Sequence, residues 1–171
     1  MKVLRASLLL GLPVLVLGCG YQFANESAVF GPDVKQIRVQ IFRNQSNQPG
    51  LERVLADAIH EEFLRGGTLE PTWSAGAPLE ISGDIRSVEV KASAVDSVGL
   101  SLENEVELTL DVRVERVPGG ELVWSAKRLV EVERFSASAD SNVHDTAKQR
   151  ALLRLSAEVA SRIRDELFQT F

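Results

Sequence analysis

The stretch Leu102-Glu103-Asn104-Glu105-Val106-Glu107-Leu108-Thr109-Leu110-Asp111-Val112-Arg113-Val114-Glu115 alternates apolar and polar side chains almost without a fault. Period two is the signature of a strand with one face against a core and the other toward water or a polar partner. Leu102, Val106, Leu108, Leu110, Val112 and Val114 form the inner row. Pro118-Gly119-Gly120 then breaks the chain ahead of a second strand, in which Leu122, Trp124, Ala126, Val130 and Val132 share a face. A two-residue turn would set Leu122 against Glu115. A three-residue loop pairs Val114 with Trp124, Val112 with Ala126 and Leu108 with Val130, so it keeps the apolar rows together and is the expected register.

Working back toward the N-terminus, Leu79, Ile81, Gly83 and Ile85 open a preceding strand, whose apolar phase then slips to Val88 and Val90. A one-residue slip predicts a bulge near Arg86-Ser87. Further back, Ile37, Val39 and Ile41 alternate with Arg38 and Gln40, a half-buried strand over Gln36 to Phe42. Between the two lies a helical stripe of Leu51, Val54, Leu55, Ala58, Ile59 and Phe63, with Pro49 in its first turn and Gly66-Gly67 as its stop. Glu61-Glu62 reads as the exposed side of that helix. A last helix, capped by Ser141 or Asn142, carries Leu152, Leu155, Val159, Ile163 and Leu167.

The expected fold is α+β: a two-layer sandwich in which a four-stranded mixed sheet carries two helices on one face, in the order β-α-β-β-β-α. The first strand, helix and second strand suit a parallel crossover, and the last three strands an antiparallel meander. The chain has 171 residues, 44% hydrophobic and 25% charged, enough for one domain with a real core. Its net charge of −5 speaks against a nucleic-acid partner, which would favour a basic face. One cysteine and two histidines leave no material for an internal disulfide or a cysteine-rich metal site, and no cofactor is implied. No G-x-S-x-G, P-loop or H-E-x-x-H occurs, so the common hydrolase, nucleotide and zinc-protease signals are missing.

The N-terminus adds the compartment. Lys2 and Arg5 precede an apolar run from Leu8 to Leu17, which is too short to span a bilayer and is followed by Gly18-Cys19. Val16-Leu17-Gly18-Cys19 resembles the bacterial lipobox, whose cysteine is acylated and becomes the mature N-terminus. The expected division is a lipoprotein signal peptide over 1–18, an acylated tether over 19–36 and the α/β domain over 37–171. Loss of residues 1–18 shifts the charge from −5 to −7. Gly20, in place of an aspartate, resembles the pattern of lipoproteins sorted to the outer membrane. Tyr21, Phe23 and Phe30 leave the tether able to dock on the fold.

Three passages together carry a family resemblance: Cys19-Gly20-Tyr21-Gln22-Phe23; Ile37, Val39, Ile41, Phe42, Asn44 and Ser46; and Pro49, Leu51, Glu52, Arg53 and Leu55, extended by Ala58, Ile59, Glu62 and Phe63. In order and spacing they resemble the LPS-assembly lipoprotein family LptE over essentially the whole mature chain. The resemblance implies a non-enzymatic lipoprotein on the periplasmic side of the outer membrane. It implies lipid anchoring through Cys19 and a place inside the lumen of the β-barrel LptD, with contact to lipopolysaccharide in transit. A lipoprotein activator of cell-wall synthesis or a secretion-channel accessory subunit is the alternative, and a small enzyme with dispersed carboxylates is a more distant one.

Lipopolysaccharide bears phosphates and carboxylates, so lysine and arginine are the side chains to examine. In the expected register Arg128 and Arg134 lie on the apolar side of the last strand, opposite Leu110 and Asn104, and Lys91 lies toward the same end as Arg134. Lys91, Arg128 and Arg134 are therefore the candidate lipopolysaccharide contacts; the competing reading is that their long stems cover apolar surface at a sheet edge. Glu103, Glu105, Glu107 and Asp111 read as a solvated strand face, and His60 and His144 as surface histidines. Expressed with its leader, the protein should be recovered acylated and membrane-bound, and Cys19→Ala should release it; mass spectrometry of a soluble, unacylated wild-type product would overturn the anchor.

Overall fold

A computed structural model describes residues 30–31, 33–95, 97–99 and 101–170. The leader, the lipobox cysteine Cys19 and residues 20–29 of the expected tether lie outside the described residues. Among the described residues, six strands and two helices follow in the order β1 (Gln36–Val39), β2 (Arg43–Asn44), α1 (Leu51–Gly66), β3 (Glu70–Thr72), β4 (Leu79–Val95), β5 (Ser101–Arg116), β6 (Leu122–Ser136) and α2 (Ser141–Gln169). All strands join one mixed sheet, in the order β3-β1-β4-β5-β6, with β2 also paired to β4. The pairings of β1 with β3 and with β4 are parallel, and β4, β5 and β6 form the antiparallel meander. The α+β class and the two covering helices agree with expectation.

The count of four strands does not, for two physical reasons. β3 is three residues long and contains Pro71, which lacks the N–H a central strand must donate; at the sheet's outer edge that donor is not needed. The expected first strand, for its part, is two. Val39 pairs with Ile81, whereas Arg43 pairs with Asp84, so one extra residue is accommodated between them. The shift turns Ile41 out to 47% exposure and brings Phe42 into the core in its place. Gly83 makes room for it: a methyl there would lie 2.5 Å from the Phe42 ring and 2.2 Å from the carbonyl oxygen of Asp111.

One continuous core joins the sheet's apolar face to both helices. From β5 come Val106, Leu108, Leu110, Val112 and Val114; from α1 Leu51, Leu55, Ile59 and Phe63; from α2 Leu155, Val159, Ile163 and Leu167. Each such side chain contributes about 1.5–3 kcal/mol when fully buried. Phe30 also docks, edge-on to Phe168 at 5.7 Å, while its carbonyl accepts from the Arg116 guanidinium at 3.1 Å. No described helix is long and apolar enough to cross a membrane.

The helix ends refine the sequence reading. α1 starts at Leu51 behind a left-handed Gly50, so Pro49 lies outside the first turn, and Gly67 closes the helix as expected by donating to the Phe63 carbonyl. Glu62 is buried, not exposed, because it faces α2 and lies 3.1 Å from Arg65 and 3.3 Å from Arg164. The cap of α2 is Asp140, whose carboxylate accepts from the N–H groups of Asn142 and Val143. His60 stacks on Trp73 at 4.7 Å, and His144 meets Phe135 edge-on at 5.4 Å, so both histidines are half-buried packing groups.

The Gly50 cap contributes no side-chain bond, and Asn44 makes up the deficit. Its Nδ2 donates to the Gln48 carbonyl at 2.8 Å and to Glu52 Oε2 at 2.7 Å, while its Oδ1 accepts from Ser46 N–H at 2.9 Å and Ser46 Oγ at 2.7 Å. This side chain ties the loop to the first turn of α1, where an anion is favoured by the helix dipole. The bond from Asn44 is the main reason the Glu52 carboxyl sits below its usual range. Asn44→Ala should therefore lower stability by about 2 kcal/mol, from several lost bonds of about 1 kcal/mol each offset by rehydration. The exposed neighbour Asn47→Ala should change it by less than about 0.5 kcal/mol. Chemical denaturation of both variants measures the difference.

Candidate functional site: the open face of the sheet

The face of β4–β5–β6 turned away from the helices is built from the polar half of each alternation. β5 supplies Glu103, Glu105, Glu107, Thr109 and Asp111, all half-buried. The expected slip in β4 occurs, as a register shift between Ile85 and Ser87, and it releases Arg86 from the ladder. Arg86 then reaches Asp111 with Nε at 2.9 Å and Nη2 at 2.6 Å, a two-pronged grip on one carboxylate. Further along, Lys91 lies opposite Glu105, and Glu105 opposite Arg134, a single row of alternating charge across three strands.

β6 departs from the expected register at both ends. The pairs Val114–Trp124 and Val112–Ala126 are as expected. Near the turn a shift places Glu115 opposite Leu122, the pairing judged unfavourable from sequence, and leaves Leu122 at 56% exposure. Beyond Ala126 a second shift sets Leu110 opposite Leu129, so that Leu108 faces Glu131 in place of Val130. A one-residue shift exchanges the two faces of everything that follows. Leu129 and Phe135 turn into the core, whereas Val130 and Val132 turn outward. Arg134 accordingly leaves the apolar side for the open face, opposite Glu105, and Phe135 takes the place opposite Asn104. Arg128 is in the bulge itself, with φ of 53°, and not opposite Leu110.

A left-handed arginine is an unfavourable conformation, and its backbone gives the compensation: Arg128 N–H donates to Asp111 Oδ1 at 2.8 Å. That bond first, and Arg86 second, hold the Asp111 carboxyl below its usual range. Asp111 thus fastens the bulges of both neighbouring strands. Sequence reasoning missed it because it stands in an acidic row; within β6 itself, the adjacency of Leu129 to Val130 was the signal that a bulge could be accommodated.

Of the three candidate cations, two are already engaged. Lys91 lies 3.0 Å from Glu89 and 3.5 Å from Glu107, and Glu89 leads in raising its pKa. Arg134 lies 3.5 Å from Glu105. Arg128 is exposed and has no ion-pair partner among the described residues. The same strands end in an apolar tip. Residues 89–95 of β4 are all exposed, Val95, Val98 and Leu102 expose more than half their surface, and residues 92–102 contain one charge, Asp96. No group of three or more potential metal ligands is arranged around a point among the described residues.

A helix-backed mixed sheet of this kind recurs in solved bacterial proteins, two of them lipoproteins. A minor lipoprotein from Acinetobacter baumannii matches with a TM-score of 0.54 at 10% identity, over 80% of this chain and 92% of that one. Uncharacterized lipoprotein B from Nitrosomonas europaea matches at 0.54 and 9%, over 80% and 82%, and the hypothetical protein CT253 from Chlamydia trachomatis at 0.51 and 11%, over 78% and 97%. These likenesses speak for the fold alone. No curated protein matches the chain in sequence. The LptE family model, described as lipopolysaccharide-assembly, matches residues 34–167, and the chain belongs to that family.

Because the Asp111 carboxyl is held low, its contribution to stability is complete above the ordinary carboxylate range, about pH 4, and is lost as pH falls through the depressed value. Asp111→Asn should lower the melting temperature at neutral pH and flatten the acid side of the stability profile. Thermal melts from neutral pH down to about pH 2 test this; unchanged acid sensitivity would show that Asp111 carries none of it.

Proposed function

We propose that this chain is a lipoprotein of the outer membrane, anchored on the periplasmic side through Cys19. It lodges in the lumen of an LptD-type β-barrel, assists that barrel's assembly and takes part in carrying lipopolysaccharide to the cell surface. It performs no chemical step of its own. Membership of the lipopolysaccharide-assembly family supports the general role. The observation that carries the finer reading is the β4–β5 hairpin, which presents a row of alternating charge on one face and ends in an apolar tip beyond the helices. A porin-like interior is polar and wet, so a guest needs charged surface where it meets the wall. The near-chargeless tip suits the acyl portion of a lipid.

Within this reading Arg128 is the principal contact for an anionic headgroup, because its guanidinium need not first leave a carboxylate. Lys91 and Arg134 are secondary contacts that exchange Glu89, Glu107 and Glu105 for phosphate. Purification of the tagged chain from detergent-solubilised envelopes should recover a large β-barrel. A glycosyltransferase in its place would favour the cell-wall activator, and recovery of neither would overturn the barrel partnership.

In a lipopolysaccharide pull-down, Arg128→Ala should reduce retention about tenfold, equivalent to the loss of one charge-assisted contact of about 1.4 kcal/mol. Lys91→Ala with Arg134→Ala should also weaken it, by less. Unchanged retention in all three substitutions would remove these residues from the site.

A further inference from the structure

β6 is the long free edge of the sheet, with 15 residues and, among the described residues, no strand on its outer side. Such an edge offers unpaired N–H and C=O groups to any other strand it meets. Here two arginines of α2 reach across to it. Arg162 Nη1 donates to the Val130 carbonyl at 3.1 Å and to Glu131 Oε2 at 2.9 Å, while its Nε bonds Glu166 at 2.8 Å. Two turns earlier in α2, Arg154 Nη2 donates to the Arg134 carbonyl at 3.4 Å and its Nε bonds Glu133 at 2.5 Å. The capped carbonyls are four residues apart, on the same side of the strand, and Val132 lies midway between them.

The bulge at Arg128 makes this arrangement possible. By reversing the faces of residues beyond it, the bulge turns Glu131 and Glu133 toward α2, where each receives an arginine. The guanidinium has the donors to bind a carboxylate and a backbone carbonyl at once, which a lysine ammonium at the end of a flexible stem does poorly. Ion pairs at half-exposed positions add little to stability, commonly below about 1 kcal/mol. Their placement on the edge carbonyls gives them a different use.

We propose that Arg154 and Arg162 close the β6 edge to strand addition by a second copy of this chain. Without them, two β6 strands would pair antiparallel about Val132, with Val130 of each copy opposite Arg134 of the other. In that register Glu131 of one copy would meet Glu133 of the other, a repulsion that weakens pairing of the unguarded strands, so the capping of the edge carbonyls, and not charge, carries the guard. The proposal concerns the isolated chain and stands apart from the barrel partnership.

The test uses the full acylated chain in detergent micelles, with the protein mass determined by light scattering across a range of concentration. Wild type should remain a single copy. Arg154→Ala with Arg162→Ala should shift the mass to a dimer or larger, and adding Val132→Pro should return it to a single copy. Val132 N–H faces outward, by alternation with Val130 and Arg134, so proline there costs no bond to β5. Where circular dichroism shows the alanine pair unfolded, Arg154→Lys with Arg162→Lys keeps the charges without the fork and should associate in the same proline-sensitive way. A folded variant that stays a single copy, association that persists with Val132→Pro, or wild-type association abolished by Val132→Pro would each overturn the proposal.

Discussion

The apolar row of β5, from Val106 to Val114, has to be kept from water, and most of the structure can be read as the means of doing so. α1 and α2 cover it, β4 and β6 flank it with further apolar side chains, and the loops are set by where those elements must begin and end. Because alternation is strict along β5, covering one row leaves the other as a free surface by necessity. The polar face is thus a geometric product of the core. Its acids need partners from β4 and β6, and both strands supply arginines and lysine at or beyond their bulges.

Those bulges decide which side chains arrive there. In β4 the phase change from Ile85 to Val88 could be read directly, because a polar pair separates the two apolar series. In β6 it could not. Leu129 and Val130 are adjacent and both apolar, so either fits a core position, and the three-residue loop that keeps the apolar rows of β5 and β6 together runs on to Val130. The deciding information lay elsewhere in the chain: Arg154 and Arg162 favour the register that turns Glu131 and Glu133 toward α2, and Asp111 favours a bulge whose N–H it can accept. Pairings across a sheet are non-local, and the strand's own sequence does not contain them.

The same distinction explains the other departures. The Gly67 stop and the helix stripe of α1 are local and legible. β3 was missed because proline argues against a strand until the edge position is known, and the Ile41–Phe42 exchange depends on space above Gly83, a residue from another strand. As for function, the family-marking Asn44 turns out to organise the loop before α1, a structural task. The cations nominated for lipopolysaccharide are on the open face or at its edge, but by a route the original register did not foresee.

The docking of Phe30 has a mechanical consequence. It holds the incoming chain beside Arg116, at the C-terminal end of β5, whereas the apolar hairpin tip lies at the other end of that strand. Sixteen residues of β5 at about 3.3 Å each make these points some 50 Å apart. A pull on the N-terminal segment would thus be felt first at the end of β5 opposite the exposed tip.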